Sequence, residues 1–299
     1  MKKVSIIIPF CNENLSQLLE YFQSKFTYDK FQGVSIDIIW VQNERTYTPI
    51  DFSIFSNHIN NYHIIESEYL NSPYSARNRG IEFSNADWFV FLDANCLPNH
   101  DWVEKLIELD DCGSIYAANI QFFSIAEEKT VGDLYDSIVN IDNEKTIHEA
   151  KVAKTACLAL PREVIDKVGH FEEGVRSGGD VIWTKKCTDF GFKIEFVPDW
   201  IVHKASRSSK ELIIKQFRVS QGWPNVWYQS QSYVKNFIKR VILCWLPPNP
   251  TRLFNIAARR GIHLTNYHKV KLIAFGTILR IVSALGIIIG TLKIKNKLL

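Results

Sequence analysis

Short runs of β-branched and other apolar residues alternate with stretches of helical periodicity over the first hundred residues, and this alternation most constrains the fold. VSIIIP (4–9) and SIDIIWV (35–41) have the composition of strands buried on both faces. Between them, residues 14–26 carry Leu15, Leu18, Leu19 and Phe22 at helical spacing, with Asn12 or Asn14 as the N-cap. YHIIE (62–66) reads as a third strand, 75–83 as a helix and 88–92 as a fourth strand. Strand and helix in alternation imply an α/β fold with a mostly parallel sheet flanked by helices. In such sheets ligands gather at the carboxyl ends of the strands. Asn12-Glu13, Gln42-Asn43 and Asp93-Ala94-Asn95 all stand at such ends.

Further along, 114–123 and 153–160 read as strands, 161–168 as a helix, and 126–150 as a polar loop over an acceptor. Asp180, after Gly178-Gly179, is placed to cap a helix that Gly191 ends, and FKIEFVPDWIVHKASR runs as a strand towards His203. The six cysteines (11, 96, 112, 157, 187 and 244) form no CxxC pair, and Lys2-Lys3 leads directly into the first strand instead of a signal peptide. Both features fit a reducing, cytosolic setting in which cysteine acts as a small hydrophobe.

Charge divides the 299 residues unevenly. From Arg207 onward there are 16 Lys and Arg against one acid, Glu211; the remainder holds 19 bases and 31 acids. A basic tail on an acidic body marks a surface-binding segment. Residues 272–290 form a 19-residue apolar stretch broken by Arg280, close to a bilayer's span, with lysines on both flanks. Upstream, Tyr233, Val234, Phe237, Val241 and Trp245 share one helical face, apart from Lys235, Lys239 and Arg240, and Trp223, Trp227 and Tyr228 add interfacial aromatics. An anionic membrane surface is the partner these features fit, with the apolar helix either spanning or lying on it. So apolar a tail does not fit nucleic acid.

Four stretches, VSIIIPFCNEN, SARNRGIEFSNADWFVFLDANCLP, KTACLALPREVIDKVGHFEE and GGDVIWTKKCTDFGFKIEFVPDWIVHKASR, occur in the order and spacing of glycosyltransferase family 2. The chain resembles that family over roughly residues 4–207. The resemblance implies a GT-A (Rossmann-like) catalytic domain over 1–207, nucleotide-binding in 1–110 and acceptor-binding in 111–207, followed by a helical tail over 208–299. It implies an inverting transfer of sugar from a nucleotide-diphospho-sugar, a UDP-sugar foremost, to a glycan or lipid-linked hydroxyl. The setting implied is the cytoplasmic face of the cell membrane, in cell-surface glycan assembly.

Residue by residue, the resemblance assigns donor contacts to Pro9, Asn12, Glu13, Gln42, Asn43, Arg77, Asp93, Ala94 and Gly179. Its Asp-x-Asp metal motif falls on Asp93-Ala94-Asn95, its late histidine on His203 and its general base on Asp180. Arg207 stands where it could meet the diphosphate, and Thr155–Leu158 where they could line a pocket. The chemistry is consistent: a departing diphosphate needs neutralising, a hard cation such as Mn²⁺ or Mg²⁺ prefers oxygen ligands, and one carboxylate opposite the leaving group can take the acceptor's proton. Two departures stand out. Asn95 offers an oxygen without a charge, and amides replace the acid after the second strand. A protein that binds nucleotide sugar at the membrane without turning it over is the alternative those departures leave open.

Overall fold

The computed structural model describes residues 2–25, 34–47, 49–53, 55, 59–99, 101–108, 113–124, 130–228 and 233–298. In chain order the elements are β1 (Lys2–Phe10), α1 (Ser16–Lys25), β2 (Val34–Gln42), β3 (Asn60–Ile65), α2 (Pro73–Phe83), β4 (Trp88–Leu92), β5 (Cys96–Pro98) and α3 (Trp102–Glu108). There follow β6 (Ser114–Phe123), α4 (Val131–Val139), α5 (Asn143–Ala150), β7 (Cys157–Pro161), α6 (Arg162–Val168), α7 (Gly179–Asp189) and β8 (Lys193–Ala205). The chain ends in α8 (Ser209–Tyr228), α9 (Tyr233–Trp245), α10 (Pro250–Arg259) and α11 (Asn266–Leu298). It divides into two compact units, 1–121 with 141–204, and 122–140 with 205–299.

The first unit is built on a sheet of order β3-β2-β1-β4-β7-β6-β8-β5. β3, β2, β1 and β4 run parallel, as the alternating pattern implies, whereas β7 is antiparallel to β4 and to β6, and β5 is antiparallel to β8. The change comes at the end of β4. Parallel neighbours need a long crossover, and here the chain turns within Asp93–Asn95, closed by Asp93 N–H donating to Ala156 O and Cys96 N–H to Asp93 O, 3.0 Å each. Four residue steps from Leu92 to Cys96 reach at most about 14 Å, whereas β4 and β5 stand four strand spacings, about 19 Å, apart in a flat sheet. The sheet therefore curls, bringing the β5–β8 edge back towards the end of β4.

The core of this unit lies against the β1–β4–β7 faces, where Ile7, Phe91 and Leu158 meet Tyr74, Phe171 and Trp183. α2 opens as its sequence dictates: Ser72 accepts from Ser75 N–H, and Pro73 occupies the first turn where no N–H is needed. Within residues 126–150, expected as a loop, Val131–Val139 and Asn143–Ala150 are helical. α4 is set by a capping box in which Thr130 and Asp133 bond each other's backbone, and α5 by Asp142, which accepts from Lys145 N–H. A polar composition concealed two capped, one-sidedly apolar helices.

The second unit is helical. Leu134, Ile138, Leu253, Ala257 and Leu272 form one cluster, and Cys244, Ala284 and Ile287 another. Gly286 and Gly290 bring α11 directly onto α8, since a Cβ at either would strike Ser220 or the Gln221 backbone. Arg280, costly if left bare in lipid, donates to the carbonyls of Leu243, Leu246 and Pro247 at 3.1 Å, closing the end of α9. Phe237 and Val241, which read as lipid-facing, pack instead with Cys244 and Ala284. The open apolar side chains of α9 are Ile238, Ile242, Leu243 and Trp245. The side chains of Trp227, Tyr228, Tyr233 and Val234 lie outside the described residues.

Candidate active site

The site is assembled around the first turns of α2. Tyr74 and Arg77 are three residues apart and so share a helix face. The Tyr74 hydroxyl donates to Asp180 Oδ1 at 3.2 Å, and Arg77 Nη2 donates to Asp93 Oδ1 at 2.7 Å. The guanidinium lies 5.6 Å from the centre of the Tyr74 ring and 6.0 Å from that of Phe91. One helix face thus holds both the strand-end carboxylate and the carboxylate expected as base. Burial, and then the charge of Asp180, push the Tyr74 hydroxyl well above its usual range, so it remains a donor.

Asp180 lies in the first turn of α7. Gly178 caps that helix in the left-handed region, at φ 85°, and Asp180 Oδ1 also accepts from Val181 N–H at 2.9 Å and faces Lys154 Nζ at 3.5 Å. Gly179 is where α7 touches Tyr74: an added Cβ would sit 2.7–2.9 Å from three atoms of that ring.

At the strand end, Asp93 is 31% exposed and Arg77 beneath it only 2%. Arg77 is therefore a buried support for Asp93. The surprise is Lys204. Its ammonium lies 3.0 Å from Asp93 Oδ2, hydrogen-bonds Asn95 Oδ1, and donates to Cys96 Sγ at 3.4 Å, with the side chain 2% exposed. Register explains its position, because Lys204 lies directly across from Cys96 in the β5–β8 pair. Alternate residues of a strand face opposite ways, so Trp200, Val202 and Lys204 point inward together. His203 points away, its Nε2 2.9 Å from Asn99 Oδ1.

The expected metal set of Asp93, Asn95 and His203 is consequently not brought together. Both members of the turn already hold the Lys204 ammonium, and the imidazole is committed elsewhere. A divalent ion on the same oxygens would stand about 4 Å from Nζ, where each pair of unit charges repels by about 4 kcal/mol at an effective dielectric of about 20. Among the described residues, no group of three or more His, Cys, Asp and Glu side chains is placed to hold a metal ion. These side chains do not fit a divalent metal.

The remaining expected donor contacts fall into two sets. Pro9 is buried at the end of β1; Asn12 takes a left-handed φ of 61°; and the Glu13 carboxylate folds back to accept from Cys11 N–H. The Glu13 carboxyl is raised, first by removal from water; backbone N–H groups lower it, Asp93 raises it and Lys204 lowers it. Glu13 therefore shares the electrostatic neighbourhood of the strand-end turn. Ala94 is buried within that turn.

Gln42 departs from expectation. It is buried, its Nε2 donates to Glu44 Oε1 at 2.9 Å and to Thr46 O at 2.5 Å, and its Oε1 meets His63 Nε2 at 3.0 Å. That amide organises its own loop and has little left to read a base. Asn43 Nδ2 donates to Glu66 O and Tyr69 O, whereas its buried Oδ1 has no hydrogen-bond partner among the described residues. Beside them Tyr47, largely exposed, stacks on His63 with ring centres 5.1 Å apart. Thr155–Leu158 are buried, and Arg207, in the second unit, is paired with Asp136 at 3.3 Å. Burial raises the Cys157 thiol well up and the Cys187 thiol to about 12, which removes both as nucleophiles near neutral pH.

Sequence reasoning missed Lys204, although a signal was present. The inward parity set by Trp200 and Val202 places 204, and not 203, beside the turn.

Comparison with known proteins agrees with this architecture. Residues 5–124 match the profile described as Glycosyl transferase family 2. The chain is 30% identical over 291 residues to glycosyltransferase AglE of Haloferax volcanii, covering 95% of this chain and 94% of that protein. It is 22% identical to a pre-mycofactocin glycosyltransferase of Mycobacterium tuberculosis over 68% of this chain and 46% of the relative. Among solved structures it resembles mannosyltransferase PcManGT of Pyrobaculum calidifontis in complex with GDP-Man and Mn²⁺ (TM-score 0.55, 15% identity, covering 95% of this chain and 86% of that one). It also resembles S. aureus TarS 1–349 in complex with UDP-GlcNAc (TM-score 0.50, 12% identity, 74% and 66%). The curled mixed sheet is the GT-A fold of those enzymes, and the chain belongs to glycosyltransferase family 2.

Proposed function

We propose that this glycosyltransferase moves a sugar from a UDP-sugar to a hydroxyl of a glycan or lipid-linked acceptor, with inversion, in cell-surface glycan assembly. The observation that carries the reading is the α2 face that holds Asp93 through Arg77 and Asp180 through Tyr74. It ties a group at the leaving end to a base at the attacking end. In the proposed step the acceptor oxygen attacks the anomeric carbon, its proton passes to an Asp180 carboxylate oxygen, and the bond to the diphosphate oxygen breaks on the opposite side. Asn43 Oδ1, a buried acceptor in need of a donor, supports a base at the end of β2; a uracil N3–H is one such donor.

The helical unit supports action at a membrane surface. α11 includes a run, residues 266–293, long and apolar enough to cross a bilayer. Its Leu272, Phe275, Leu279, Ala284 and Ile287 are buried, however, leaving Val270, Ile278, Leu285, Ile288, Ile289 and Leu292 open. With only one face left for lipid, and with exposed Lys239 and Arg240 on α9, we favour a helix lying on an anionic surface over one spanning it.

The test is release of nucleoside diphosphate from a panel of UDP-, GDP- and TDP-sugars incubated with glycan and lipid-linked acceptors. UDP-sugars should turn over, and Asp180→Asn should lower the rate about 10²- to 10⁴-fold while nucleotide binding persists. An Asp180→Asn variant with undiminished transfer would remove that residue from its role.

A further inference from the structure

We infer that Lys204 is a built-in cation of the donor site: it takes the place of a divalent ion at the Asp93–Asn95 turn, so a nucleoside diphosphate binds there without added metal. The inference rests on the glycosyl-transfer reading and deepens it. A pair of carboxylates at this turn would carry two negative charges towards an anionic diphosphate and would need a divalent ion to reverse the sign. This chain carries one carboxylate and one amide. Asp93 is held by an ammonium at 3.0 Å on one oxygen and a guanidinium at 2.7 Å on the other. With Asn95 neutral, these three side chains sum to one positive charge, which Glu13, an electrostatic neighbour of both Asp93 and Lys204, partly offsets.

The placement is built and not incidental. Lys204 is 2% exposed, lies across the β5–β8 register from Cys96 and bonds to three groups of the turn, the side chains of Asp93, Asn95 and Cys96. A buried ammonium is retained only where its partners compensate for lost water, and both compensating oxygens belong to the two residues that would otherwise bind metal. The amide at 95 follows from the same balance, since a second carboxylate would return the turn to neutrality. Lys204 is thus a positioning residue, acting through the Asp93 and Asn95 oxygens and the charge it gives the turn.

The experiment is calorimetric titration of the full chain with UDP and GDP, in EDTA and in millimolar Mn²⁺. Wild-type affinity should agree within about threefold between the two buffers, and Lys204→Met, similar in length but uncharged, should lose about tenfold or more in EDTA and regain affinity when Mn²⁺ is added. A purely structural lysine would not shift metal dependence in this way. Wild-type binding that requires Mn²⁺ would overturn the inference, as would a folded Lys204→Met variant binding normally in EDTA. If Lys204→Met does not fold, the wild-type comparison of the two buffers decides alone. If neither nucleotide nor its sugar conjugates bind wild type in either buffer, the glycosyl-transfer reading fails and this inference fails with it.

Discussion

Gly179→Ala is the sharpest probe of how the site is held. The new methyl would lie 2.7 Å from Tyr74 Cδ2 and within 2.9 Å of two further ring atoms, against an ordinary contact of 3.4 Å or more, so one side must yield by about 0.7 Å. The ring cannot swing aside, because Tyr74 is buried against Phe171 and under the Arg77 guanidinium. The N-terminus of α7 must then move, and it carries Asp180. The Tyr74–Asp180 hydrogen bond is already 3.2 Å long and would break. Overpacking of this kind costs about 1–3 kcal/mol, about 2–4 °C in melting temperature per kcal/mol for a domain of this size. A sub-ångström displacement of a catalytic group lowers the rate about 10- to 100-fold. Gly178→Ala is the control: its Cβ meets nothing within 4 Å but must adopt φ 85°, a strain of about 1–2 kcal/mol. Melting curves and NDP-release rates should separate the two, Gly178→Ala losing stability alone and Gly179→Ala losing rate as well. Adding Tyr74→Leu to Gly179→Ala should restore part of the lost stability, a coupling that distant sites would lack. Equal behaviour of the two glycine variants would refute the reasoning.

Two further outcomes test the helical unit. Burial opposes ionisation of Asp133, but its bonds from Thr130 and Ser206 prevail and hold its carboxyl below the ordinary aspartate range. A depressed carboxyl stabilises the fold above its unfolded pKa and loses that contribution as pH falls through the folded value. The melting temperature should therefore drop below pH about 4, and Asp133→Asn should lie lower at pH 7 yet converge on wild type in acid; parallel curves would exclude the carboxylate as the cause. On liposome flotation the full chain should rise with vesicles containing phosphatidylserine and largely stay behind with phosphatidylcholine alone, and Lys239→Glu with Arg240→Glu should weaken the first; equal binding to both vesicle types would rule out the charged surface.

The parallel half of the sheet was readable because its strands are buried on both faces. Runs such as Val4–Pro9 and Trp88–Leu92 have one structural solution, and the functional ends follow from them. The turn at Asp93 was readable for the same reason; Asp180, expected as the cap of α7, lies instead in its first turn behind the Gly178 cap. What escaped depended on partners remote in sequence. Gln42 looks like a free amide at a strand end, yet Glu44, Thr46 and His63 engage it. Arg77, expected beside the nucleotide, is buried beneath Asp93. Phe237 and Val241 looked lipid-facing because helical periodicity reports an apolar face without saying what covers it; Cys244 and Ala284 do.

Asn95 and the turning away of His203 then have one physical account. A late histidine serves a metal only if its strand presents odd-numbered positions to the turn, and here Trp200 and Val202 commit the even-numbered ones inward. That parity puts Lys204 where an ion would sit and turns His203 onto Asn99. Once an ammonium is fixed there, a carboxylate at 95 would cancel the positive charge that a diphosphate needs, whereas an amide accepts the lysine's hydrogen bond and leaves the charge in place. Asn95 and Lys204 are therefore one arrangement, and changing Asn95 to Asp should matter more with Lys204 present than with Met in its place.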